Sequence, residues 1–415
     1  MHWLSRPAVG FLFCLIVTGC SDSPVDPDRS ELPRALTAQE TSLIESDNLF
    51  GLNLFRAISA FEADKNVFIS PLSISMALGM TLNGADGTTY EDMKQTLQLA
   101  GLTEEEINQS YRSLIDLLTA LDPMVVFQIA NSIWYRDVFP ISQPFVDLNQ
   151  EYFDAEVAGL DFNDPDAANV INQWVSTRTN GRIDSIVDSP IDALTVMILI
   201  NAIYFKGDWT YKFDVEKSIS DQFTLPDDST KLVSMMVHDE GTFPYFENTA
   251  YQIVDLAYGD SLYTMTIVLP KSGTDIDAAI ETLDRTTWES WINQLQPQEF
   301  GILQVPRFEL EYEIELNGIL SALGMEIAFD PFNADFTRMR DGAGDNLYIT
   351  GVKHKTYINV DEDGTEAAAV TSVTVGATSV PEMIVMKVNR PFIFMIRERI
   401  SGTILFIGKI VDPAP

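Results

Sequence analysis

One large α+β domain is what this sequence predicts, and three observations carry that prediction. Apolar residues fall at helical spacing near the amino terminus, and long β-rich runs fill the later part of the chain. No proline-, glycine- or serine-rich linker breaks the chain after about residue 40. Length alone, 415 residues, would suggest roughly two or three domains. An apolar share of 46% with no linker fits a single domain with a sizeable core instead.

The amino terminus stands apart from that domain. Arg6 opens a short basic region, Ala8 to Thr18 is almost wholly apolar, and Val17-Thr18-Gly19-Cys20 follows. An apolar run this short cannot span a bilayer and suits an export signal over residues 1–19. The small residues ahead of Cys20 resemble a bacterial lipobox, in which the cysteine becomes the lipidated first residue of an envelope protein. The competing reading is an ordinary secretion signal with an incidental cysteine. Cys14 would leave with the signal, so no internal disulfide is available and stability must come from the core. Residues 20–40, with Pro24, Pro27 and Pro33 among Ser and Asp, have the composition of a flexible tether ahead of a domain over residues 41–413.

Within the domain, Leu49, Leu52, Leu54, Phe55, Ile58 and Phe61 put an amphipathic helix over Leu43 to Ala63. Ser70-Pro71 opens a buried helix over Ser73 to Asn83, with proline in its first turn. Val125 to Tyr135 and Asn346 to Val360 are long β-rich runs, expected to flank an opening in a central sheet. Tyr263 to Leu269 is a further strand. Phe392 to Arg397 and Thr403 to Ile410 form a closing pair joined by a glycine-containing turn, apolar enough to be buried on both faces.

The stretch from Glu362 to Pro391 is the most informative. After Glu366 come fifteen residues, Ala367 to Pro381, without a single charge. Alanines give way to alternating Thr, Ser and Val, with strand propensity over Val370 to Val375 but little bulk to anchor a core. Such windows add readily to sheet edges and are usually interrupted by a gatekeeper charge. An intact one suggests that entering a sheet is its task.

Here the sequence resembles the serpin family. The hinge Gly364-Thr365-Glu366-Ala367-Ala368-Ala369 carries the likeness first. Asn66-Val67-Phe68-Ile69-Ser70-Pro71, Ile171-Asn172-Gln173-Trp174, Asn201 to Trp209, Val305-Pro306-Arg307-Phe308 and the closing Asn389-Arg390-Pro391-Phe392 follow in family order. The resemblance implies three β-sheets with surrounding helices and an exposed reactive-centre loop. It implies inhibition of a serine protease, with cysteine proteases as a second class, by a covalent complex. The loop is cleaved, and the acyl-enzyme is trapped when the loop inserts into the main sheet.

By the same likeness Ser70, Ser73, Asn201 and His354 form a polar shutter beneath the sheet. Lys206 and Trp209 mark the breach where insertion starts, and the attacked bond joins Thr378 to Ser379, with Ala377 or Val380 as neighbouring choices. Thr365, Ala367, Ala369 and Thr371 would face inward in the new strand, and all are small and uncharged. Elastase-like or subtilisin-like targets fit best. No Lys or Arg lies between Lys355 and Lys387, and no aromatic lies between Tyr357 and Phe392.

Other classes fit poorly. The mature chain keeps only His238 and His354, not spaced as a metal pair, and it has no nucleophile elbow or phosphate loop, so neither an enzyme nor a cofactor is expected. A net charge of −35 argues against nucleic acid and against anionic membrane surfaces. Thr88 to Leu99, where some serpins carry a basic helix, holds only Lys94, so no heparin-like cofactor is expected. A monomer held to the envelope through Cys20 is the expected state. The alternative is a non-inhibitory serpin fold acting as a binding or chaperone-like surface lipoprotein.

Overall fold

The computed structural model describes residues 31–365 and 383–414. The fold begins earlier than residue 41, the boundary expected from composition. Thr37 caps the first helix, α1 (Ala38–Phe61), in a reciprocal pair with Glu40. Ahead of it Leu32 and Leu36 pack on the core, and Arg34 pairs with Glu40 at 2.6 Å. The end of the expected tether is therefore docked, because two leucines and one arginine outweigh the prolines around them.

Helices α2 (Pro71–Leu82), α3 (Gly87–Thr96), α4 (Glu104–Thr119), α5 (Gln143–Phe153) and α6 (Ala167–Arg178) follow, with the shorter α7 (Ile276–Glu281) and α8 (Arg285–Gln294) later. The Ser70 hydroxyl accepts the Ser73 amide and fixes the start of α2, as Ser70-Pro71 suggested. The helix leading into the main sheet is α4, not the Thr88–Leu99 stretch. Three glutamates fill its first turn and Arg112 is its one base, so this helix offers no basic face either.

Three sheets run through the described residues. The largest contains β1 (Val67–Ile69), β5 (Ile219–Thr224), β6 (Thr230–His238), β7 (Gly241–Glu247), β8 (Tyr251–Tyr258), β9 (Tyr263–Pro270), β10 (Gln296–Pro306), β14 (Ile384–Lys387), β15 (Phe392–Glu398) and β16 (Ile404–Ile410). Strands β9, β15 and β16 are buried at every residue, as the near-continuous apolar character of the closing pair predicted for β15 and β16.

The second sheet runs β13 (Gly364–Thr365), β4 (Met197–Asp208), β2 (Val125–Arg136), β3 (Glu156–Leu160). The third pairs β11 (Phe308–Glu315) with β12 (Lys353–Val360) in continuous antiparallel register. Helix α6 covers the outer face of β2 and β4 through Ile171, Val175, Trp134 and Ile200.

Two expectations about the opening need correction. Its borders are β4 and β12. Strand β2 lies one strand further in, bonded to β4 from Val125↔Gly207 to Tyr135↔Met197. The two apolar runs are alike in composition, and only the distant pairing decides which borders the opening. Asn346 to Val352 is not strand. Asn317 captures the Val352 amide at 2.7 Å and the Thr350 carbonyl at 3.1 Å, so those backbone groups are used elsewhere.

Candidate functional site: a strand-wide opening with a latched top and a polar floor

The site is the cleft between β4 and β12. Ile203, Tyr204 and Phe205 line one wall, Tyr357, Ile358 and Asn359 the other, and Thr365 lies at its top. Among the described residues, β4 is paired on this side only at Gly207 and Asp208, where β13 lies antiparallel to it. The facing edge of β12 has no strand partner among them.

Two glycines let β13 lie this close. A Cβ on Gly364 would sit 2.2 Å from the Gly207 carbonyl oxygen, and one on Gly207 would press on the Tyr258 ring at 3.1 Å. Thr365 is only 4% exposed, and its hydroxyl shares a 2.9 Å hydrogen bond with the buried Tyr258 hydroxyl. Thr365, the second residue of the hinge, therefore already faces inward. Glu366, Ala367, Ala368 and Ala369, the bond from Thr378 to Ser379, and Cys20 all lie outside the described residues.

The turn before β13 is held from several sides. Asp361 accepts the amides of Asp363 and Gly364 at 3.1 and 3.3 Å. Trp209 donates its backbone amide to the Asp363 carbonyl at 2.8 Å and its indole N–H to the Asp361 carbonyl at 2.9 Å. Its ring stacks on Tyr258 with centroids 4.4 Å apart. Glu362 is 2% exposed, pairs with Arg307 and accepts the Ser218 hydroxyl. Lys212 bridges Asp208 at 2.8 Å and Asp363 at 3.3 Å, which ties β4 to the turn. Lys206 is half-buried on β4 opposite Val126. Nearby, burial between Phe213 and Phe243 pushes the His238 imidazole down to about 4.

The floor is the second cluster. Ser70 donates its amide to His354 Nε2 at 3.0 Å and its hydroxyl to the Leu405 carbonyl at 2.7 Å. Ser73 donates its hydroxyl to the Asn201 carbonyl at 3.3 Å. The Asn201 amide donates to Asn131 Oδ1 at 2.6 Å, and Asn131 donates to the Phe153 carbonyl at 2.6 Å. Burial alone pushes His354 down to about 3, which keeps Nε2 an acceptor at ordinary pH.

Ser70, Ser73, Asn201 and His354 thus come together, joined through the start of α2. Asn201 Oδ1 is buried and has no hydrogen-bond partner. Sequence reasoning missed Asn131, Tyr258, Ser218 and Lys212. Only Tyr258 carried a local signal, the tight turn into Gly259 with φ +50°.

A cleft between β4 and β12, with β13 seated at its top through a close glycine contact, is the arrangement that defines the class of fold. The comparisons agree. A family model described as serpin (serine protease inhibitor) matches residues 45–413. Neuroserpin of Gallus gallus is 34% identical over 375 residues, covering 87% of this chain and 90% of the relative. The solved structure of tengpin, a thermophilic serpin in its native state, superposes with TM-score 0.82 at 32% identity, covering 91% of this chain and 95% of that one. Human thyroxine-binding globulin complexed with its ligand gives TM-score 0.82 at 28% identity, covering 91% and 100%. The chain belongs to the serpin family, whose members are in general protease inhibitors rather than enzymes.

The glycine hinge yields a direct expectation. Gly364→Val should lift β13 from β4 and release the Trp209 amide, at a cost of about 1–3 kcal/mol. Hydrogen exchange of that amide should speed up in the variant. Unchanged protection would contradict the close approach of the two strands.

Proposed function

We propose that this protein inhibits serine proteases as a suicide substrate. A protease attacks the loop and forms an acyl-enzyme, and the cleaved loop then enters the opening between β4 and β12 before hydrolysis is complete. The observation that carries this reading is the seat of β13, a two-residue strand already started in the right place and direction.

Continuing its register down β4 sets Ala367 opposite Phe205, Ala369 opposite Ile203, Thr371 opposite Asn201 and Val375 opposite Met197. Cross-strand neighbours share a face, so the alanines would point at the core beneath Phe205 and Ile203. Val370 would lie opposite Ala202 on the other face. Thr371 would bring a hydroxyl to Asn201, whose Oδ1 lacks a donor. Roughly ten new ladder hydrogen bonds at about 1 kcal/mol each would rival the whole stability of an ordinary domain.

The attacked bond is placed between Thr378 and Ser379 by counting from Glu362, and the bait suits elastase-like or subtilisin-like enzymes. No heparin-like cofactor is needed, since neither α3 nor α4 presents a basic cluster. Incubation with such proteases should give an adduct that survives denaturing gels at near-equimolar ratio, unaffected by heparin. Thr365→Arg should be cleaved without an adduct, because a buried charge stalls insertion until hydrolysis wins. Mass spectrometry of the released carboxy-terminal peptide should find it starting at Ser379. Cleavage without an adduct across a broad protease panel would refute the inhibitor reading. It would favour a carrier role instead, for which the likeness to thyroxine-binding globulin is the specific support.

We further propose that the protein is an envelope lipoprotein anchored through Cys20. No helix among the described residues is long and apolar enough to cross a membrane. Cys20→Ala should alter processing and move the protein from the membrane fraction to the soluble one. Unaltered membrane association would favour another mode of attachment.

A further inference from the structure

Asp47 is a buried carboxyl that the inhibitory site does not use. It lies 2% exposed where α1, α2 and α4 meet. Oδ1 accepts the Tyr111 hydroxyl at 3.1 Å, while Oδ2 has no hydrogen-bond partner. The Ser75 hydroxyl, which donates to the Leu72 carbonyl at 3.1 Å, lies against both Asp47 and Tyr111 and keeps lone pairs free to accept.

Among the described residues no cation is paired with this carboxyl. Helix α2 contributes no ionisable side chain. On α4, Arg112 turns outward to Asp116 and Asp154, and only Tyr111 reaches Asp47. Within α1, Glu40 is taken by Arg34 and Glu45 by Arg285 at the start of α8. Lys409 of β16 is committed to the far end of α1, where it donates to the carbonyls of Glu62 and Ala63. An ionised carboxylate faced only by the neutral hydroxyls of Tyr111 and Ser75 is poorly solvated, and burial outweighs both, whereas a neutral acid can donate its proton from Oδ2 toward Ser75.

We propose that Asp47 is held protonated in the folded protein and acts as a pH-sensitive latch joining α1 and α4 to α2, the helix whose first turn carries the floor of the strand opening. Ser70 and Ser75 lie within two turns of one another on α2, so whatever loosens Asp47 from Ser75 acts on the element that holds His354. The latch does not depend on the inhibitory reading.

The sign follows from linkage. Burial raises the folded carboxyl to about 7, while an unfolded aspartate ionises near pH 4. Between those values the folded state keeps a proton that the unfolded chain has lost. This contribution to the folding equilibrium therefore falls about tenfold per pH unit as pH rises from about 4 to 7, then levels off. His238 and His354 run the other way. Burial depresses both, so their contribution is lost as pH falls below about 6.5. The parent's own profile mixes these opposed slopes, and only a difference isolates Asp47.

The test compares the full chain with Asp47→Asn by urea unfolding from pH 5 to 8. The folding equilibrium of the variant relative to the parent should gain about tenfold per pH unit from pH 5 to 7 and then level off. Infrared spectroscopy of the parent, labelled at its aspartates, should show a protonated carboxyl band at pH 6 that fades by pH 8.5 and is absent from the variant. A pH-independent offset between the two proteins, or no such band at pH 6, would overturn the proposal. The band decides even if the variant folds poorly.

Discussion

The rest of the structure is organised around an unpaired sheet edge. Among the described residues, β4 bonds over most of its length to β2 on one side and to no strand on the other, and β12, paired with β11, is in the same position across the cleft. Backbone amides and carbonyls need partners, and exposed edges invite foreign strands, so a stable fold normally closes such a row. Here it stays open. Helix α6 covers one face of β2 and β4, and the aromatic core around Phe205, Tyr258, Tyr263 and Phe406 supports the other.

What keeps the row open is divided between two ends built from different interactions. At the top, partly exposed ion pairs such as Lys212 with Asp208 and Asp363 are individually weak. Their geometry is fixed by the Trp209–Tyr258 stack and by two glycines that permit backbone contact. At the floor, a buried polar chain from Leu405 through Ser70, Ser73 and Asn201 to Asn131 links the core strands, α2 and the main sheet. Such a chain is cooperative, and separating β4 from its surroundings disturbs several members at once. A weak top and a cooperative floor suit a conformation that persists because the route out of it is slow.

Much of this was legible in the sequence where the signal is local. Ser70-Pro71 marked the start of α2, and the apolar runs marked β9, β15 and β16. The borders of the opening were not legible, because Val125–Tyr135 and Met197–Asp208 carry the same apolar pattern and only long-range pairing tells an inner strand from an edge. The docking of Leu32 and Leu36 was hidden by the prolines around them. Tyr258 and Asn131 matter through partners more than sixty residues away in sequence, Thr365 for one and Asn201 for the other. No periodicity reports such contacts.

The central claim, that the open strand position is a store of unrealised pairing, is tested most directly by nicking the loop between Ala367 and Pro381 with a small amount of non-target protease and then melting the protein. If the freed segment joins β4 and β12, roughly 10 kcal/mol of new pairing should raise the unfolding midpoint by about 20 °C or more. A nicked protein that melts at or below the temperature of the intact chain would contradict the account.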